Sequence, residues 1–273
     1  MKLDLHTHTT FSDGDLEIYG NVRKALDFDL DGIAITDHDT IDSWQVIDGN
    51  EYPIMVIKGV ELSTYYKNSS VHVLGYYLND GGDYQELDEI LKQIRQERLE
   101  RLEKIISLLK PLGIELSKEE ILKEAHGAVA RPHVAKAIIK KYPELHLSID
   151  DVFDQYIGND APAYVPVNNF QTEDAIALLK RNHCLVVIAH PLLIKKVDYK
   201  ELFQFDIDGI EGFYNYSFDV EEDVVRVGDE YHILVTGGSD YHGPITRDSM
   251  GNAYVEDERA KVFLKKINLT SRM

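Results

Sequence analysis

The sequence predicts an α/β barrel interrupted by a helical insertion. Three observations lead there. Seven short Ile- and Val-rich runs recur along the chain, as buried strands do. Nearly every one ends in His, Asp or Glu. Between the fourth and the fifth lies a long charged stretch whose apolar residues follow a helical period.

The first run, "KLDLHTH", ends at His6 and His8. In the second, "DGIAITDHDT", Ile33 to Ile35 lead into Asp37 and His38. "PIMVIKGVELS" leads into Glu61, and "SVHVLGYYL" carries His72. After the gap come "CLVVIAHP", ending at His190, then "IDGIEGFYN", then "YHILVTGGSDYHG", ending at Asp240 and His242. Helical patterns separate several runs. "TEDAIALLKRNH" opens on a Thr172 cap with acids in its first turn. Alternating strands and helices imply parallel pairing through crossover helices. In a closed parallel barrel the reactive residues sit at the C-terminal strand ends. Only a closed ring brings so many strand ends to one point.

The middle of the chain reads as helices. "LDEILKQIRQERLERLEKIISLLKPLG" spaces Leu87, Ile90, Leu91, Ile94, Leu102, Ile105, Ile106 and Leu109 helically, and stops at Pro111 and Gly113. Ser117 to Glu120 forms a capping-box pattern. Pro132 in "ARPHVAKAIIKKYP" sits where a first helical turn accepts it. Ser148 caps "SIDDVFDQYIG", which Gly158 terminates. The expected division is a barrel of residues 1–78 and 162–273 with a helical insertion, 79–161, as a substrate-recognition cap.

Composition bounds the function. The 273 residues are 44% hydrophobic and 28% charged, as in an ordinary globular protein. No apolar run approaches the ~18 residues of a membrane helix. The N-terminus has no basic region followed by an apolar core. The single Cys184 excludes an intramolecular disulfide and a cysteine metal cluster. A cytoplasmic location is the resulting expectation. The formal net charge of -19 disfavours long nucleic acids, whose non-specific binding needs Lys and Arg. Bound divalent cations would reverse the local field, so a small phosphorylated ligand stays compatible.

Residues i and i+2 of a strand share a face. His6 and His8 therefore point together with Asp4 beside them, while Leu3 and Leu5 point away. Each strand-end group alone has an ordinary reading: a turn at Asp37-His38, a half-buried His72, a helix start at His190-Pro191, a polar loop at Asp240 to His242. The same coincidence on almost every strand has none. Six histidines, two aspartates and one glutamate are nitrogen and oxygen donors, suited to manganese, iron or zinc. They are too many for one ion. Two or three clustered metals, with Glu61 able to bridge, would lower the pKa of a shared water and stabilise charge on a phosphoryl group.

The motifs "HTHTTFSDG", "ITDHDT", "GVELS", "HVLGYY", "IAHP" and "GGSDYHG", in this order, resemble the polymerase and histidinol phosphatase (PHP) family. The resemblance implies a distorted (β/α)7 TIM-like barrel with a trinuclear metal site. It implies that His6, His8, Glu61 and Asp240 hold one metal, Glu61, His72 and His190 a second, and Asp13, His38 and His242 a third. It also implies attack on phosphorus by a hydroxide that the cluster activates, with Glu61, His190 and Asp240 among the catalytic groups.

Arg131 and His133 fall at a predicted helix N-terminus, where arginine and backbone N–H groups favour phosphate. The insertion and "APAYVPV" (Ala161 to Val167) resemble the small nucleotide-directed branch of the family, in which the matching arginine and histidine contact substrate phosphate. That branch implies hydrolysis of nucleoside 3',5'-bisphosphates or 5'-to-3' trimming of short RNA. Histidinol phosphate is the alternative substrate, and a non-catalytic metal-binding regulator the alternative of another class. A polymerase-attached module is not expected, since no polymerase segment follows Met273.

Overall fold

The computed structural model describes residues 1–67, 69–125, 129–166, 170–216 and 218–269. Val167, which ends the "APAYVPV" segment, and Met273 lie outside them. The chain runs β1 (Lys2–Thr7), α1 (Ile18–Asp27), β2 (Gly32–Ile35), α2 (Asp42–Asp48), β3 (Met55–Tyr66) and β4 (Ser69–Tyr77). The helical stretch follows as α3 (Gln85–Leu109), α4 (Lys118–Leu122), α5 (Arg131–Lys141) and α6 (Ile149–Val152). Then come α7 (Thr172–Arg181), β5 (Cys184–Ile188), β6 (Gly209–Phe213), α8 (Phe218–Glu230), β7 (Leu234–Gly237), β8 (Val255–Glu256) and α9 (Asp257–Lys266).

All seven expected strands form, and β8 is an addition. The sheet order is β7-β6-β5-β4-β3-β2-β1-β8. Pairs β1–β2, β2–β3, β5–β6 and β6–β7 are parallel. β4 is antiparallel to both β3 and β5, which corrects the expectation of parallel pairing throughout. Only Lys67 and Asn68 separate β3 from β4. A parallel crossover needs about a dozen residues, so so short a link must turn the chain straight back.

The ring closes where β1 meets the segment after β7. Thr7 bridges Tyr241 in parallel, and the His8 N–H donates to the Tyr241 carbonyl at 2.8 Å. Gly238 permits the approach, since a Cβ there would lie 2.4 Å from the His6 nitrogen. Asp4 staples the seam by accepting from the Ser239 N–H (2.9 Å), the Ser239 hydroxyl (2.5 Å) and the His6 N–H (3.2 Å). Its complete burial raises its pKa to about 7, and those hydrogen bonds offset only part of the cost. Asp4→Ala leaves these donors buried without an acceptor. The expected loss is about 2–4 kcal/mol of unfolding free energy, measured by urea titration. A loss below about 0.5 kcal/mol would show that the seam does not depend on this carboxylate.

α3 belongs to two cores. Leu87 and Leu91 pack in the barrel cluster with Trp44, Val73 and Leu179. Leu102, Ile105 and Leu109 pack in a separate cluster with Val134 and Ile138 of α5, Val152 and Ala163. The helix thus passes from barrel to insertion near its middle. It ends at Leu109, followed by a 3-10 turn and Gly113 at φ 84°. The capping boxes at Ser117–Glu120 and Ser148–Asp151 are both present. Thr172 is not the cap of α7. Gln171 holds that position, and the buried Thr172 hydroxyl meets Thr64 Oγ1 at 2.7 Å, tying α7 to β3. Among the described residues, no helix is long and apolar enough to cross a membrane.

Candidate metal centre

The centre is built around Glu61, near the middle of β3, whose carboxylate is 1% exposed. Its Oε2 faces His6 Nε2 (3.2 Å), His8 Nε2 (3.2 Å) and His38 Nδ1 (3.1 Å). Its Oε1 faces His72 Nδ1 (2.8 Å) and His190 Nε2 (3.0 Å). Asp240 Oδ1 lies 3.4 Å from His6 Nε2 and 3.2 Å from His8 Nε2. Asp13 Oδ1 lies 3.4 Å from His242 Nε2, and Asp13 Oδ2 lies 4.0 Å from His38 Nε2. Every expected ligand therefore converges on one place.

Three subsets bring their donor atoms within 4.8 Å of one another: His6, His8, Glu61 and Asp240; His8, Asp13, His38 and His242; and His38, Glu61 and His72. The first is the foursome implied by the family resemblance. The second is the implied trio plus His8. In the third, His38 takes the place expected of His190, although His190 still contacts Glu61 directly.

Local sequence sets these positions. Asp37 accepts from the Thr9 N–H (2.8 Å), Thr9 hydroxyl (2.7 Å) and Ser12 hydroxyl (2.7 Å), which folds the loop that presents Asp13. His190 stands at φ 26° and Asp240 at φ 52°, backbone conformations uncommon for non-glycine residues and held here by local contacts. Glu211 supplies such a contact at His190. Its carboxylate accepts from the His190 N–H (2.7 Å) and pairs with His6 Nδ1 (2.9 Å). A proton on His6 Nδ1 leaves the Nε2 lone pair facing Glu61 and Asp240, open to a metal. On the far side of Asp240, Oδ2 accepts from Tyr214 (2.9 Å) and Arg247 (2.5 Å).

Sequence reasoning did not single out Glu211, Tyr214 or Arg247. The signal for Glu211 was present: an acid between apolar residues of "GIEGF", in a strand buried along its length.

A metal group fits these residues. Buried polar atoms are nearly always hydrogen-bonded. Here His6 Nε2, both His8 ring nitrogens, Asp13 Oδ1, His38 Nδ1, Glu61 Oε2 and His190 Nδ1 are buried with no hydrogen-bond partner, all in one cluster. Nitrogen and oxygen donors so disposed suit divalent cations. Charge agrees. Burial opposes the Glu61 charge, yet His38, His6 and His72 hold its pKa well below the carboxylate range. Burial also opposes Asp240 ionisation, and His6 and His242 overcome it. The same carboxylates raise His8 to about 10 against the effect of burial.

Arg131 and His133 sit at the start of α5, outside the three ligand subsets. His133 Nδ1 accepts from the Ala130 N–H at 2.9 Å, so Nε2 carries the proton. Burial pushes its pKa down to about 4, with the nearby Asp13 charge acting the other way. Arg131 lies against the rings of Phe153 and Tyr164 (5.4 and 5.8 Å to their centroids). It donates through Nη1 to Asn159 Oδ1 (3.2 Å) and the Ile157 carbonyl (3.4 Å).

Fold and site together define a barrel protein with a buried cluster of histidines and carboxylates suited to divalent cations. The chain belongs to the PHP-domain family, whose model matches residues 4–183. It is 32% identical over 193 residues to the 5'-3' exoribonuclease Rnm of Salmonella typhimurium, a match covering 69% of this chain and 64% of that one. It is 28% identical over 254 residues to a 5'-3' exoribonuclease of Haemophilus influenzae, covering 89% and 90%. Among solved structures it superposes on a protein from Bifidobacterium adolescentis described as a metal-dependent phosphoesterase, with a TM-score of 0.85, 23% identity and coverage of 97% and 96%.

Proposed function

We propose that the protein is a metal-dependent phosphoesterase acting on phosphomonoesters of small nucleotides, either nucleoside 3',5'-bisphosphates or short 5'-phosphorylated oligonucleotides. The observation that carries this is the set of unpartnered donor atoms around Glu61, with His133 near enough to Asp13 to feel its charge. Two or three manganese, iron or zinc ions bound there would acidify a shared water and neutralise phosphoryl charge. Glu61 spans the centre, Asp13 and Asp240 hold its two flanks, and Glu211 fixes the tautomer of His6. His133 offers an Nε2–H to a phosphate oxygen. Among the described residues Arg131 donates through Nη1, and its planar guanidinium has further N–H groups that could fork onto the same phosphate.

The two exoribonuclease relatives support a nucleotide substrate. Residues 79–161 serve as the cap that presents Arg131 and His133. The charge of -19 favours mono- and dinucleotides over long RNA, and a cytoplasmic setting suits such substrates.

The test is phosphate release by manganese-loaded protein from adenosine 3',5'-bisphosphate, AMP, histidinol phosphate and a short 5'-phosphorylated RNA. Release from the nucleotides is expected. Release from none would leave a non-catalytic metal-binding protein, and release from histidinol phosphate alone would overturn the nucleotide reading. Arg131→Ala is expected to lower kcat/KM about 10–100-fold, the scale of a charged hydrogen bond, with metal content unchanged. Loss of metal in that variant would remove Arg131 from substrate binding.

A further inference from the structure

Asp13, His38 and His242, which share one ligand subset with His8, stand on the loops after β1, β2 and β7. Asp15 joins two of these loops. Its N–H donates to the His242 carbonyl at 2.7 Å. Its Oδ2 accepts from the N–H groups of Ile245 and Thr246, both at 2.8 Å, and its Oδ1 from the Thr246 hydroxyl at 2.9 Å. The loop it grips is closed on itself. The His242 N–H donates to the Arg247 carbonyl (3.2 Å), and the Arg247 N–H to the Gly243 carbonyl (3.0 Å). Asp15 therefore stands two residues from Asp13 in the chain and holds the loop of His242 in space.

Asp15 has a further partner, and it comes from the helical insertion. Lys136 of α5 donates through Nζ to Asp15 Oδ1 at 3.2 Å. The two side chains are only 19% and 9% exposed. An exposed lysine–carboxylate pair contributes little, whereas one largely out of water is costly to break. The next lysines of α5, Lys140 and Lys141, pair instead with Glu124 and Glu120 inside the insertion. Lys136 lies three residues past His133, on the same side of the helix, and its charge reaches that imidazole.

The loop of His38 is tied to the same region. Arg98, in the middle of α3, pairs with Asp39 and donates to the Val129 carbonyl (3.3 Å), just ahead of α5. Nearly one turn further on, Arg101 gives its Nε–H to the Val165 carbonyl at 2.7 Å. Asp39 follows His38 in the chain, and its N–H donates to the Glu61 carbonyl at 2.9 Å. All three ligand loops are thus fastened to the helices of 79–161 through Asp15 and Asp39, which lie outside the ligand subsets.

We propose that Asp15 and Lys136 are positioning residues that couple α5 to the metal position of Asp13, His38 and His242. The contact that seats α5 also holds the loop of Asp13 against the loop of His242. This rests on the metal-dependent reading above and adds a link between how the insertion sits and how tightly an ion is held. Coupling is reciprocal, so holding the ion in turn steadies α5 where it presents Arg131 and His133. Charge alone predicts the opposite sign for the loss of Lys136. Without it, Asp15 is left unneutralised near the site and should draw cations more tightly.

The test is equilibrium dialysis of the Mn2+-loaded full chain against a graded chelator series, with circular dichroism at the same temperature. Lys136→Met is expected to weaken one Mn2+ per chain at least about threefold, less than the loss typical of a group bonded to a ligand itself. Lys136→Arg keeps the charge and the reach and should stay within about twofold of wild type. Lys140→Met removes the same charge from the same helix at an exposed pair and should match wild type. Unchanged or tighter Mn2+ in Lys136→Met would overturn the coupling, as would an equal loss in Lys140→Met. If circular dichroism shows Lys136→Met unfolded, Thr246→Val decides. It removes one bond to Asp15 with no change of charge and should weaken the same ion about twofold or more. Wild-type affinity in that variant would then overturn the coupling. A wild type that binds no Mn2+ would remove the metal centre and the coupling together. Mn2+ binding with the expected pattern but no phosphate release would sink the phosphoesterase and leave the coupling standing.

Discussion

Glu61→Gln is expected to lower kcat/KM at least about 1,000-fold and to strip metal from the purified protein, since metal ions supply several kcal/mol of transition-state stabilisation. The substitution keeps the volume and one carbonyl oxygen. It removes the charge that five imidazoles share, those of His6, His8, His38, His72 and His190. Among the described residues no other carboxylate reaches all five. Asp240 reaches His6, His8 and His242, and Asp13 reaches His8, His38 and His242, but neither reaches His72 or His190. Losing Glu61 therefore separates the cluster into halves. The measurement is metal content by elemental analysis alongside steady-state kinetics. A variant that keeps its metal and falls less than about tenfold would show that Glu61 is not at the centre of the site.

The site was more legible in the sequence than the path of the chain. Ligand candidates could be found because each ends, or lies within, an apolar run, and a strand end needs no knowledge of its neighbours. Strand direction is a pairwise property. The expectation of parallel strands followed from helices between runs, and it failed at β4, where the link is Lys67-Asn68. The length of that link was in the sequence and outweighs the general pattern.

Glu211, Arg98 and Arg101 were missed for another reason. The apolar run around Glu211 hinted at its burial, but it acts on residues far away in sequence, His6 and His190, so its partners do not show in local pattern. Arg98 and Arg101 belong to "QIRQERLERLEK", which reads as the solvated face of a helix. They become buried only because α3 crosses from one core to the other at that point. Arg131 was singled out by its place beside Pro132, which is a local signal.

Chelation of the metal-loaded protein is expected to lower its stability by about 4 kcal/mol where free metal stood a thousandfold above Kd. For a chain of this size that is a fall in Tm of about 7 °C. The protein should nevertheless stay folded. Without metal, the buried carboxylates retain counter-charges, because Glu61, Asp240 and Glu211 favour the protonated form of His6 against the effect of burial. Asp240 and Glu61 do the same for His8. Protons thus stand in for part of the cation charge, and the barrel seam at Asp4 and Ser239 does not involve metal ligands on its acceptor side. The comparison with Glu61→Gln makes the result specific. If the cations rest on Glu61, chelation should lower the Tm of wild type and leave that of the variant within about 2 °C. An equal fall in both, followed by differential scanning calorimetry with and without chelator, would place the stabilising ion elsewhere on this acidic chain.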